Sequence, residues 1–172
     1  MSRQVLLCVE TNKAARTDYK YIDSTIKRFY VNDRKIVYRP IFLDTKTKYN
    51  AKDKIKEIKN AIKKYPGETS VIYFIDVDDY DVSAETHTLY DNIKSYCESN
   101  GYEFVFFTKD VEDVYLGQSV TKDEKVKKAE EFTRKKLIEG VNEANLRSEI
   151  HRPHSSNILN VLDLFWTKNN GI

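Results

Sequence analysis

The sequence predicts a single α/β domain, a four-stranded, largely parallel sheet flanked by helices and followed by a helical C-terminal part. Two observations carry this. Short apolar, β-branched runs alternate four times with segments whose apolar residues recur at three- and four-residue spacing. The third run, SVIYFID at 70–76, is apolar without alternation, as in a strand buried on both faces of a parallel sheet. A length of 172 residues suits one core. The domain is therefore read as 1–172, with 110–172 as its helical part.

The elements follow in order. QVLLCV at 4–9 is a buried strand. Residues 14–30 form a helix on Tyr19, Ile22, Ile26, Phe29 and Tyr30. KIVYRPIFL at 35–43 is a second strand, and Pro40 inside it points to a sheet edge or a bulge. Residues 51–65 form an amphipathic helix with a stripe of Ile55, Ile58 and Ile62, stopped by Pro66 and Gly67. After strand 70–76, residues 84–99 form a helix with Leu89, Ile93 and Tyr96 inward. Ser83 is its N-cap and Gly101 its stop. EFVFFT at 103–108 is the fourth strand. Helices are expected at 110–116, 122–139 and 155–166, the last packing Ile158, Leu159, Leu162, Phe165 and Trp166 on the sheet.

Composition excludes several classes. There are 29 basic and 27 acidic residues, a formal net charge of +2, so any nucleic-acid contact rests on local patches rather than a global field. Cys8 and Cys97 form no metal-ligand pair and read as buried free thiols in a reducing compartment. The first ten residues hold too short an apolar run for a signal peptide, and no run reaches a membrane span. The expected location is cytoplasmic, with no membrane partner.

The informative stretch is the strand exit. Asp76 and Asp78 end the third strand, and Glu10 is the first polar residue after the first. In an open α/β sheet, ligands bind beyond the carboxyl ends of the strands. If the first and third strands are neighbours, all three carboxylates meet in one crevice, and in an extended segment residues 76 and 78 point to the same side. Crowded carboxylates repel unless a cation lies between them, and hard divalent ions favour oxygen ligands. Glu10, Asp76 and Asp78 are thus candidate ligands of Mg²⁺ or Mn²⁺. Asp79 and Asp81 read as turn and capping residues ahead of Ser83. An EF-hand is excluded, because Asp81 and His87 stand where its glycine and final glutamate belong.

Glu10 after one strand and DVD at 76–78 after another resemble the Toprim fold of topoisomerases, primases and several nucleases. The finer pattern is similar to the RloB-like and OLD-related nucleases of bacterial anti-phage systems. ETNKAARTDYKY keeps Glu10, Asp18 and Tyr19, with Thr11 in place of a glycine. TKDVEDVYL places Glu112 in a later acidic element, and RPHSSNILNVL echoes a closing element from Pro153 to Asn157. The resemblance implies metal-dependent hydrolysis of RNA or DNA, with Glu10 holding the metal or acting as general base. It makes Glu112 a candidate ligand of a second ion. It also implies a partner ATPase or other defence-system protein, since the chain has no phosphate-binding P-loop.

A nuclease needs cations for the phosphate backbone. Lys13 and Arg16 follow Glu10, Lys109 follows the fourth strand, and His151 and Arg152 lie in one loop before the last helix; these are the candidate substrate-binding residues. The basic outer face of the 51–65 helix reads as a solvated face. Two other functions compete: a non-catalytic Toprim-like module that binds nucleic acid or a partner, and a phosphoacceptor receiver domain. The receiver requires an acidic pair after the first strand, where this chain offers only Glu10.

Overall fold

A computed structural model describes residues 2–78 and 83–171. Four parallel strands, β1 (Arg3–Val9), β2 (Ile36–Phe42), β3 (Glu68–Asp76) and β4 (Glu103–Phe107), lie in the order β2-β1-β3-β4. Pro40 sits on β2, an edge strand, where a missing N–H costs no ladder bond on the open side. The chain runs outward from β1 to β2 and returns across β1 to β3. The order therefore reverses between β1 and β3, the kind of position at which such sheets open a ligand crevice.

Alternate side chains serve two cores. Val5, Leu7 and Val9 of β1, Ile72 and Phe74 of β3, and Val105 and Phe107 of β4 face one layer of helices. These are α1 (Thr17–Phe29), α4 (Val111–Leu116), α5 (Lys125–Arg134) and α6 (Ile158–Leu162). Leu6, Cys8, Val71, Tyr73 and Ile75 face the other layer, α2 (Lys52–Lys64) and α3 (Ala84–Asn100). The central strands β1 and β3 are buried on both faces, as their unbroken apolar runs require, whereas the edge strand β2 is half-exposed, with Val37 47% exposed. Both cysteines are buried and unpaired. Among the described residues, no helix is long and apolar enough to cross a membrane.

Several expectations hold in detail. Ser83 Oγ accepts the Thr86 N–H at 3.3 Å, and Gly101 closes α3 at φ 67°. Others are corrected. Helix α1 begins at Thr17, three residues late, because Asn12 turns the chain first: its side chain accepts the Ala15 N–H at 2.8 Å and its carbonyl the Arg16 N–H at 3.0 Å. On α2 the buried stripe is Lys54, Ile58 and Ala61, whereas Ile62 is 38% exposed. Lys54 replaces an apolar residue because its Nζ reaches the carbonyl of Phe42 at 2.6 Å while its stem lies in the interface. The expected 122–139 helix breaks at Lys136, which turns left-handed at φ 52° before a 3₁₀ turn at Leu137–Gly140. The 155–166 helix shrinks to α6, because residues 155–157 pair with β4 instead.

That pairing seals an open edge. Ser156 bridges Phe107 in antiparallel fashion, and Thr108 N–H donates to Ser155 O at 2.9 Å. The Asn157 amide accepts Phe106 N–H at 2.9 Å and donates to Phe104 O at 3.0 Å, mimicking one unit of a neighbouring strand.

Candidate carboxylate site

The crevice between β1 and β3 gathers six carboxylates and two lysines. Glu10 follows β1 directly, and its Oε1 accepts the backbone N–H of Asp76, the last residue of β3, at 2.7 Å. Asp18, in the first turn of α1, is buried and accepts from Thr17 Oγ1 at 3.3 Å and from the Thr11 N–H. Glu112 is fully buried: the first turn of α4 is buried throughout, the helix packs against α1, and Lys125 of α5 pairs with the carboxylate. Asp110 caps that helix, accepting the Asp113 N–H at 2.8 Å. Asp78 lies past the strand end.

Its placement departs from strand alternation. At φ 47° the backbone at Asp78 is left-handed, so the extended-chain rule fails one residue beyond Val77. The turn is held by Val77 N–H to Phe107 O at 2.9 Å and Asp78 N–H to Lys109 O at 2.8 Å. The Asp78 carboxylate meets Lys46, whose Nζ also donates to Asp76 O at 2.8 Å. On the far side, Lys125 Nζ bonds Glu112 Oε2 at 2.7 Å and Asp110 Oδ2 at 3.3 Å.

The lysines do not neutralise the cluster. Burial pushes the Glu10 carboxyl up to about 8, with Lys46 opposing and Asp18 and Asp78 adding to the rise. Burial and then Glu112 push Asp18 up to about 7, against Lys125. Asp76 is raised well above the carboxylate range by burial, then by Glu10, Asp18, Asp78 and Glu112. Glu112 is raised by burial despite Lys125.

The same place collects the unmet hydrogen-bonding capacity. Among the described residues, the buried side-chain polar atoms without a partner are Thr11 Oγ1, Tyr21 OH and Glu112 Oε1. Thr11 adjoins Glu10 and its N–H serves Asp18, while the Tyr21 phenol is raised by burial and then by Glu112, Asp18 and Asp110. Orphaned buried groups are costly and usually mark an ordered water or an ion. As the side chains stand, no three acidic, histidine or cysteine residues among those described close on one point as a ligand set. Mg²⁺ needs only one or two carboxylates with water and phosphate oxygens. The oxygen-rich donors and the orphaned Glu112 Oε1 fit such an ion.

The other expected residues divide. Arg16, exposed and left-handed at φ 53°, lies over the rings of Tyr19 at 5.4 Å and Phe42 at 5.8 Å, at the start of α1 beside the crevice. Lys109 joins the rim through its carbonyl, and its ammonium reaches Ser119. Lys13 is exposed on the preceding turn. His151 is not brought to the carboxylates: it packs on Tyr90 and Phe106, on the sheet face opposite Phe107 and α4. Arg152 bonds Ser148 Oγ at 3.1 Å within its own loop. Asp79 and Asp81 lie outside the described residues. A cavity of about 580 Å³ beside Tyr90, Phe106 and His151 is separate from the carboxylate crevice.

Sequence reasoning did not assign a role to Asp18, Lys46 or Lys125. The predicted helix start at residue 14 put Asp18 in the second turn; only the later start at Thr17 puts Asp18 in the first turn of α1. The lysines come from a loop and a late helix, and no local pattern marks them. No protein family, curated protein or solved structure matches the chain.

Proposed function

We propose that the chain is a divalent-metal-dependent nuclease of Toprim type that hydrolyses phosphodiesters of RNA or DNA. The observation that carries this reading is the meeting of surplus buried carboxylates with the orphaned Thr11, Tyr21 and Glu112 atoms at the β1–β3 switch point. Carboxyls raised this far by burial stay largely protonated in the metal-free fold, and a crevice that collects such groups marks a functional site. Asp76 and Asp78 would hold Mg²⁺ or Mn²⁺, with Glu112 on its far side. When bound, the ion would supply a Lewis acid for a phosphate oxygen and for the departing oxygen. Burial keeps Glu10 largely protonated near neutral pH in the metal-free fold; a nearby ion would favour its carboxylate, which could then hold the metal or take a proton from water. Arg16, exposed at the start of α1, would hold the phosphate backbone, and Lys109 would join it by leaving Ser119.

The resemblance to RloB-like and OLD-related proteins extends the reading to bacterial anti-phage defence beside an ATPase or other defence partner. The buried free thiols of Cys8 and Cys97 suit the reducing cytoplasm.

One observation favours a second reading. Lys46 and Lys125 already hold carboxylates of the cluster, as they would in a module that binds nucleic acid or a partner without cutting. Labelled RNA and DNA incubated with Mg²⁺ or Mn²⁺ separate the two. A nuclease cuts, and Asp76→Ala stops the cutting while circular dichroism stays native. Retained affinity with no metal-dependent product identifies the binding module, and wild-type cutting by Asp76→Ala removes the site assignment.

A further inference from the structure

We propose that Lys46 is a tethered cation occupying the place of a divalent ion between Asp76 and Asp78, so that metal entry requires its ammonium to leave. The inference rests on the metal reading above and adds what sets the site's affinity. Lys46 Nζ donates to the main-chain carbonyl of Asp76 at 2.8 Å and contacts the carboxylate of Asp78. Its side chain is only 17% exposed, unlike an ordinary surface lysine. When ionised, Glu10 also attracts it. These oxygens at the end of β3 are ones a hard cation would take, and a single ammonium cannot share their space with one.

The two lysines of the cluster differ in how they are anchored. Lys125 rises from α5 and answers the fully buried Glu112 and the helix cap Asp110, which fixes it as a permanent neutralising group. Lys46 stands on the 3₁₀ turn Lys46–Lys48, in which no residue is buried, and its partners lie across the crevice on β3 and the turn after it. Its long stem can swing into solvent without opening a core. Once displaced, its charge remains within reach of a phosphate bound at the same ion. Lys46 thereby stabilises the metal-free fold and weakens the metal by the same contact.

The test is calorimetric titration of Mn²⁺ into metal-free protein without nucleic acid, comparing wild type, Lys46→Met and Lys46→Gln. Lys48→Met, which removes a nearby lysine that pairs with Asp44, controls for net charge. Removing a competing unit charge a few ångströms away should tighten Mn²⁺ binding roughly tenfold or more in either Lys46 variant. Lys48→Met should stay near the wild-type value. Binding by the Lys46 variants at or below wild-type strength overturns the exchange and leaves the metal reading standing. Absence of Mn²⁺ binding in every protein overturns both. Should Lys46→Met not fold, Lys46→Gln still decides, since it removes the charge while keeping a polar side chain of similar size at the crevice.

Discussion

The carboxylate of Glu10 at the exit of β1 accepts the backbone N–H of Asp76 at the exit of β3, at 2.7 Å. This bond ties two neighbouring strands at the point where the sheet order reverses, and it brings two carboxyl groups together in the same step. The contact favours an ionised Glu10, but burial outweighs it.

A pH dependence follows. Glu10 rises from 4.5 to about 8 and Asp18 from 3.8 to about 7 on folding. Between those limits the native state binds more protons than the unfolded chain, so stability falls as pH rises. Metal-free protein should be most stable near or below pH ~4.5 as far as these groups decide, and should lose on the order of a few kcal/mol by pH ~8. Urea unfolding with chelator at a series of pH values checks this, and saturating Mn²⁺ should flatten the decline. A metal-free stability that climbs over this interval refutes the assignment.

Lys125 is the partner of a fully buried carboxylate. Lys125→Met strands Glu112 and should cost about 2–4 kcal/mol, below the limit for a wholly buried pair because the lysine side chain is 31% exposed. The double variant Lys125→Met with Glu112→Leu should recover most of that loss. Denaturant midpoints of the three proteins give the coupling directly, and simple additivity would show that the two do not form a unit.

Arg16 combines a strained backbone with an exposed charge at the crevice. Arg16→Gly should leave the fold as stable or raise it by up to about 1 kcal/mol, since glycine adopts φ 53° freely. Nucleic-acid affinity should fall for all sequences alike, and the salt slope should shrink by about one. Anisotropy titrations at several salt concentrations separate this from a surface arginine, whose loss would change neither.

Asn157 occupies the place of a missing strand. Asn157→Leu leaves Phe106 N–H and Phe104 O without partners and should cost about 2–4 kcal/mol. Asn157→Asp keeps the acceptor but not the donor, and should lose more than half as much at neutral pH. Thermal unfolding, with light scattering to follow association, reads both effects.

The fold was legible because the central strands β1 and β3 are buried on both sides, so long apolar runs mark them. Pro40 narrowed its strand to an edge or a bulge, and β2 is an edge. Elements failed where tertiary contacts overrode local pattern. Lys54 lies in an apolar stripe because a strand carbonyl receives its ammonium, and Ser155–Asn157 forsake a helix to serve β4. In the site, Glu10 and Asp76 could be placed from strand ends alone. Glu112 could not be told from a solvated helix start, since its complete burial depends on α5 arriving from later in the chain. Asp78 followed strand alternation on paper, yet its left-handed turn removes it from that geometry.

The Asn157 clasp also sets a timetable for synthesis. Its two bonds to β4 span 51 and 53 residues of sequence. At about 5–20 residues per second, a ribosome would take roughly 3–10 s to supply the clasp after Phe106 is made. Through that interval the outer margin of the sheet is open, and a second nascent chain on the same messenger could pair with it. The nascent polypeptide is thus most exposed to mispairing just before its last helix emerges, and a chaperone binding the Phe104–Phe107 margin would be needed only then.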